Sequence, residues 1–582
     1  MSADPESRSL VQQPSAASDE TAVAPEEKLQ GVSRRGFLRA GAGAAAVLMT
    51  TGPAAVLAEG HDHTHMAKEA PQSAKALALR AKAEAEWFEP FAEPSLMSLE
   101  STVPKSYNAT LRVIMVPITF NDTLGKRTEN VRTYNGEVPG PTFRVRAGDD
   151  LNVKVINDLP KNTDQFCGDH HTSMNNPHCF NTTNLHVHGL HVSPKEPSDN
   201  VFVEIPPKAE DPDHPEKGEY KFCFQLPLFH KPGTHWYHAH KHGSTAIQLV
   251  NGMAGALIVE DPPDKPLVPT PFADVVMIIQ EIVAKAEDIY GCGPGQVPSV
   301  LFYVNGRYRP TINLIAGEMY RWRVINATST PRGFTPLQLR MGATEYAMRL
   351  IAVDGIYLPS PRDEKSWLIA PGNRADYLVS FSSAGSYTLY KGAFEGPAKE
   401  QALAEIKVTA TALKMAMAMA IETPPLPDYL RPFTDAEIKA ALDAGKTRTV
   451  TFDVDTSTPN CAGRFQVNGK PFDPNGPAIE VNLGDTELWT IKNTSGASHP
   501  FHIHVNPFQV IDNNKKLIPA GERYWQDTVT VPGGGYVTFA TRFLTFDGPF
   551  VLHCHILIHE DWGMMMKVTV KGNGYGPCVK VP

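Results

Sequence analysis

No region of this chain is basic enough to argue for nucleic acid: 54 Lys and Arg stand against 63 Asp and Glu, a net charge of -9. No apolar run suits a membrane span. The best one, Gly36 to Ala58, is short, weakly apolar and interrupted by Gly and Pro53, so the mature protein is expected to carry none. Cysteine is sparse, at seven residues. Hydrophobic residues at 42% and charged residues at 20% are ordinary for a soluble protein. Proline (50) and glycine (44) are plentiful and signal many turns between short strands. The 582 residues exceed one ordinary domain, and three or four are expected.

The N-terminus does not read as part of the fold. Residues 1–32 are polar, and Ser33-Arg34-Arg35-Gly36-Phe37-Leu38 then precedes the Ala-rich stretch. Val56-Leu57-Ala58 offers small residues for cleavage. Residues 1–58 thus resemble a twin-arginine export signal, which implies a periplasmic or secreted protein. An extension over 59–97 follows. Six cysteines besides Cys554 are an even number, which an exported protein can pair. Cys461 with Cys578 would staple the C-terminal domain, and Cys167 with Cys179 would close a loop; Cys223 and Cys292 complete the set.

The chain repeats itself. Asn-Gly turns occur at Asn135-Gly136, Asn305-Gly306 and Asn468-Gly469. Each precedes a small-residue turn ending in an acid (Asp149, Glu318, Asp485) and an alternating strand; these acids are 169 and 167 residues apart. A period that long means duplicated domains, and short alternating runs divided by Gly, Pro and Asn read as antiparallel β-sandwiches. The expected domains are 98–262, 270–410 and 447–582, with a linker over 411–446.

The repeat ends also correspond. Gly233 to His238-Ala-His240 matches Gly548 to His553-Cys554-His555, with Gly385 to Tyr390-Lys391-Gly392 between them. Likewise Pro500-Phe-His502-Ile-His504 matches Pro336-Leu-Gln338-Leu-Arg340. The first and third copies therefore keep metal-binding residue types, and the middle copy has lost them. It is read as structural, or as shaping a substrate surface.

Ten histidines form four clusters: His186 and His188; His238 and His240; His499, His502 and His504; His553, His555 and His559. A strand places the two imidazoles of His-x-His on one face. In a strand His553 and His555 would point one way and Cys554 the other. Thiolate, imidazole and the thioether of Met564 suit a blue-copper centre. Zinc, the alternative metal, needs only three or four ligands in a closed tetrahedron and does not account for twelve paired ones.

Over about residues 100–582 the chain resembles the multicopper oxidases, specifically three-domain, laccase-like enzymes of the bacterial spore-coat and bilirubin-oxidase kind. The resemblance implies an all-β fold of three cupredoxin-like Greek-key β-sandwich domains and four copper ions. A type 1 copper would be held by His499, Cys554, His559 and, axially, Met564; a type 2 copper by His186 and His502. Two type 3 coppers would be held by His188, His238 and His555, and by His240, His504 and His553. A reductant would give up single electrons near His559 or His499, and these would pass through Cys554 to His553 and His555 and on to dioxygen, forming water. Glu560 matches a proton-relay glutamate of such laccases and Asp199 an aspartate near the type 2 copper. For each the alternative is a solvated surface acid.

The reducing partner is expected to be a phenol, aromatic amine or pigment, with Cu(I), Mn(II) or Fe(II) as the alternative. A non-catalytic copper-binding protein of the same fold is disfavoured by the complete ligand set. His191, His235 and His242 are read as supporting hydrogen-bonders. His61, His63 and His65 are read as a tail, and Met415, Met417 and Met419 as packing.

Overall fold

A computed structural model describes residues 89–581 apart from 104, 169–173, 264–266, 268–272, 284–285, 292–299, 396–399, 411–425 and 458–460. The export signal, His61, His63, His65, Cys292 and the three linker methionines lie outside the described residues.

The described residues form six sheets, two for each sequence repeat. Strand pairs are mostly antiparallel, but every sheet also holds one parallel pairing, such as Ser106–Asp122 with Asp150–Asn157 and Ile479–Asn482 with Met565–Lys571. The antiparallel pairing expected of the sandwiches thus holds for most strand pairs, with one parallel pair added in each sheet. Crossovers between the paired sheets bring non-consecutive strands side by side, which hairpins alone cannot do.

The repeated turns fold alike. Asn135, Asn305 and Asn468 have φ of 56°, 51° and 54°, and the glycines after them 80°, 71° and 70°. Two consecutive positive φ values define the hairpin turn that Asn-Gly favours. Each Asn side chain also accepts a backbone N–H from the neighbouring strand, from Arg112, Ile278 and Thr451 at 2.7–2.8 Å.

Six strands carry the matched segments: β1 (His186–His188), β2 (Gly233–His238), β3 (Thr335–Met341), β4 (Gly385–Lys391), β5 (His499–Ile503) and β6 (Gly548–Cys554). β1 pairs with β2 placing His186 opposite His238, and β5 with β6 placing His502 opposite His553. β3 pairs with β4 in the same register, Gln338 opposite Tyr390. The emptied middle site is thus the same place in the fold. Lys391, aligned with Cys554, is buried with its ammonium 5.2 Å from the Phe302 ring.

Strand Ala254–Val259 shows how the repeats join. Leu257 and Val259 enter the first repeat's core, whereas Ala254, Ala256 and Ile258 enter a second core continuous through the middle and third repeats. Period-2 alternation lets one strand serve both.

Three α-helices are described: α1 (Thr245–Val250), α2 (Asp435–Asp443) and α3 (Leu557–Asp561). None among the described residues is long and apolar enough to cross a membrane. The segment read as linker contains α2, started by a reciprocal Thr434–Glu437 capping box. Its Ala441 packs with Tyr429, Leu430, Trp525 and Ile511, so this part belongs to the third repeat's core.

Cys167 pairs with Cys179 as expected. Cys578 pairs with Cys223, at a Cα separation of 5.9 Å, and not with Cys461. The C-terminal tail runs back to the first repeat, so this bridge ties the two ligand-bearing repeats together. Cys461 is also disulfide-bonded, and Cys554 is free and buried.

Candidate metal centre

β6 ends at Cys554, and the chain bends through His555 into α3, which carries His559 and Glu560. This bend splits the ligand run into two groups. Cys554 Sγ lies 3.3 Å from His499 Nδ1 and 3.7 Å from His559 Nδ1, and the two nitrogens are 3.2 Å apart. Met564 is fully buried, and its carbonyl accepts the Cys554 N–H at 3.0 Å. His553 points away from this group, its Nε2 3.1 Å from His240 Nε2 and 3.4 Å from His504 Nε2. Strand alternation turns His553 away from Cys554, and the bend carries His559 back beside it.

The second group lies between the first and third repeats. His188, His238 and His555 have ring centroids 5.0–5.8 Å apart. His186 stacks on His504 at 4.0 Å and His188 on His502 at 3.9 Å. The ligand atoms of His186, His188 and His238, of His186, His502 and His504, of His240, His504 and His553, and of His499, Cys554 and His559 each lie within 4.8 Å of one another.

The donor chemistry fits copper. His186 Nε2, His188 Nδ1, His238 Nε2, His502 Nε2 and both His555 nitrogens are buried without a hydrogen-bond partner. An unpartnered buried polar atom costs about 1–3 kcal/mol, and so many at one place call for a cation among them. Burial, helped by the neighbouring imidazoles, holds His186, His188, His504, His553 and His555 well below the usual histidine range. Burial alone brings His499 to about 4. Neutral imidazoles are the form that binds metal. Burial pushes the Cys554 thiol up, so a thiolate there needs a cation beside it.

Neither candidate acid is a solvated surface group. Asp199 is buried with both carboxylate oxygens 3.0 Å from His186 Nδ1, and it accepts the Val187 N–H at 3.1 Å. A proton on His186 Nδ1 leaves Nε2 free to face the cluster. Glu560 is fully buried, with its two oxygens 3.5 Å from His240 Nδ1 and His553 Nδ1, and Thr245 Oγ1 donates to it at 3.2 Å. Burial, reinforced by the Asp561 charge, pushes its carboxyl well up.

Sequence reading missed several neighbours. Asp527 Oδ1 lies 3.3 Å from His188 Nε2, and its carbonyl is 2.9 Å from His502 Nδ1. Ser495 Oγ lies 2.9 Å from His499 Nε2. Asp561 accepts the N–H groups of Gly243, Thr245 and Ala246 and the Tyr290 hydroxyl. Only Asp561 had a signal, its place directly after Glu560. His191 bonds Val505 O and Thr545 Oγ1, and His242 bonds Asn175. Among the described residues His235 has no hydrogen-bond partner on either ring nitrogen. A cavity of about 210 Å³ lies against His240, lined by His178, Glu204, Lys241, Phe472 and Met565 among others.

Three models described as multicopper oxidase match residues 119–165 with 172–264, 233–412 and 443–573. The chain belongs to the multicopper oxidase family. It is 28% identical over 485 residues to a laccase of Bacillus stratosphericus, covering 75% of this chain and 90% of that one. It is 26% identical over 465 residues to the multicopper oxidase mco of Staphylococcus aureus, covering 78% and 84%. Its fold matches the Campylobacter jejuni multicopper oxidase described as a metallo-oxidase, with TM-score 0.63, 22% identity and coverage of 83% and 96%. This multicopper oxidase is a copper-dependent, laccase-like oxidoreductase with dioxygen as acceptor.

Proposed function

We propose that this enzyme oxidises phenols or aromatic amines by single electrons, four per dioxygen, with four copper ions held by its twelve candidate ligands. His499, Cys554, His559 and Met564 would hold the entry ion. His186 and His502 would hold a second, His188, His238 and His555 a third, and His240, His504 and His553 a fourth. Bound copper would supply the one-electron redox chemistry and the reduction of dioxygen. The observation that carries this reading is Cys554 placed between His553 and His555: one residue touches the entry group, and its two chain neighbours belong to the interdomain cluster.

The chain's own residues do the rest. Phe465 stacks flat on His559 at 3.9 Å and covers one face of that ring. His559 is the more exposed of the two entry imidazoles, at 8% against 2% for His499. The cavity that His240 lines gives small molecules a place beside the cluster. Glu560, between His240 and His553, holds a proton for delivery there. Asp199 fixes the tautomer of His186. The arginine pair Arg34-Arg35 directs export to the periplasm or beyond.

The test is oxygen uptake by copper-loaded protein with phenols, bilirubin, Cu(I), Mn(II) and Fe(II). The protein should be blue with about four coppers per chain. Cys554→Ser should abolish colour and turnover while the cluster keeps its copper. A colourless wild type that consumes no oxygen with any reductant would sink the proposal, and uptake with the metal ions alone would move the substrate to that class.

A further inference from the structure

The middle repeat holds none of the candidate ligands, yet it walls the histidine cluster. Gly372 packs on His555, and Arg374, the first residue of strand Arg374–Ser380, is fully buried beside Asp527. Every N–H of the Arg374 guanidinium is used. Nη1 donates to Asp527 Oδ1 at 2.8 Å and to Gly372 O at 3.2 Å. Nη2 donates to Asp527 Oδ2 at 2.6 Å and to Asp354 O at 3.0 Å. Nε donates to Thr234 O at 3.3 Å, on β2 of the first repeat. The fork therefore grips both oxygens of Asp527, in the third repeat, and reaches the first repeat as well.

Asp527 is held from its backbone side too. Asp354, also in the middle repeat, accepts the N–H groups of Asp527 and Thr528 at 3.1 Å each. Gly189 leaves no slack, because a Cβ there would lie 2.1 Å from Arg374 Nη2 and 2.8 Å from Asp527 Oδ2.

What Asp527 touches gives this clamp its meaning. Its Oδ1 is 3.3 Å from His188 Nε2 and 3.5 Å from His502 Nδ1. Its carbonyl, at 2.9 Å, and Thr528 Oγ1, at 3.0 Å, also face His502 Nδ1. The opposite nitrogens, His188 Nδ1 and His502 Nε2, are the unpartnered ones. One aspartate thus engages the outward nitrogen of two histidines and leaves the inward nitrogen of each for a metal. The two belong to different copper ions in the ligand assignment above. An outer hydrogen bond sets which imidazole nitrogen bears the proton and how the ring is turned.

We infer that Arg374 is a positioning residue of the oxygen-reducing site: the copper-free repeat orients Asp527, and through it the donor nitrogens of His188 and His502. This rests on the copper reading of those histidines. Lysine keeps the charge but cannot grip both carboxylate oxygens in a planar fork, so charge alone should not substitute.

The experiment compares copper-loaded full-length Arg374→Lys and Arg374→Gln with Arg321→Lys. Arg321 is another fully buried arginine of the same repeat, bonded to Asp376 at 2.7 Å. Readouts are copper retained against a competing chelator, the paramagnetic-resonance signal of the non-blue cupric ion, and the blue band. The Arg374 variants should keep the blue band, give an altered non-blue signal and hold cluster copper about 10–100-fold more weakly. Arg321→Lys should leave the signal unchanged. If Arg374→Gln does not fold, the Lys variant decides alone. A wild-type signal and chelator resistance in Arg374→Lys would overturn the inference, as would an equal change in Arg321→Lys. A wild type without a blue band or bound copper would instead mean that the ligand reading had failed, and this inference with it.

Discussion

Gly372→Ala tests how closely the middle repeat approaches the cluster. Gly372 has φ +92°, and a Cβ there would sit 2.8 Å from both Cγ and Cδ2 of His555. Two costs follow. An L-residue in the left-handed region costs about 1–2 kcal/mol. Overpacking a rigid core adds about 1–3 kcal/mol, and His555 cannot yield freely because its ring is buried against His188, His238 and Trp236. The total is about 2–5 kcal/mol. Gly484→Ala is the control: its φ is +94°, and a Cβ there meets nothing within 4 Å. It should show the backbone cost alone, about 1–2 kcal/mol. The difference between the variants isolates the contact with His555. At roughly 2–4 °C per kcal/mol for domains of this size, Gly372→Ala should melt about 2–12 °C below Gly484→Ala. It should also carry less cluster copper while keeping its blue band, because Cys554 and His499 face the other way. Equal melting temperatures and full copper content in both variants would refute the close approach.

Lys391→Met should stabilise the protein at pH 7. Burial lowers the Lys391 ammonium from its ordinary 10.5 to about 8, so the penalty of a buried charge is full below pH 8. Between about pH 8 and 10.5 the folded wild type sheds this proton while the unfolded chain keeps it, so the wild type gains stability there. The advantage of Lys391→Met, on the order of 3 kcal/mol, should therefore shrink across that window; an advantage that stays constant with pH would contradict the assignment. Cys223→Ser removes the bridge to Cys578, 355 residues on. It should cost about 2–4 kcal/mol and make the tail cleavable by protease near residue 578; an uncleaved tail would show that packing alone holds it.

Local chemistry made much of the site legible. Asn-Gly turns have one favoured hairpin geometry, so three of them mark three copies, and strand alternation alone separates Cys554 from His553. The Thr434–Glu437 capping box was equally local and was overlooked within a supposed linker. The pairing of Cys578 was not legible, because any even set of cysteines permits it and the path of the tail selects it. Asp527, Ser495 and Arg374 carry no spacing signal, since each reaches its histidine across the fold.

The sequence by itself determined the family, the three-copy plan and the twelve candidate ligands, because residue type and period-2 spacing follow from the chain alone. Only the tertiary structure decided that the ligand-free repeat takes part in the metal centre. Arg374 and Asp527 are 153 residues apart. Their meeting depends on how three repeats pack, and that packing fixes which nitrogen of His188 and His502 faces inward.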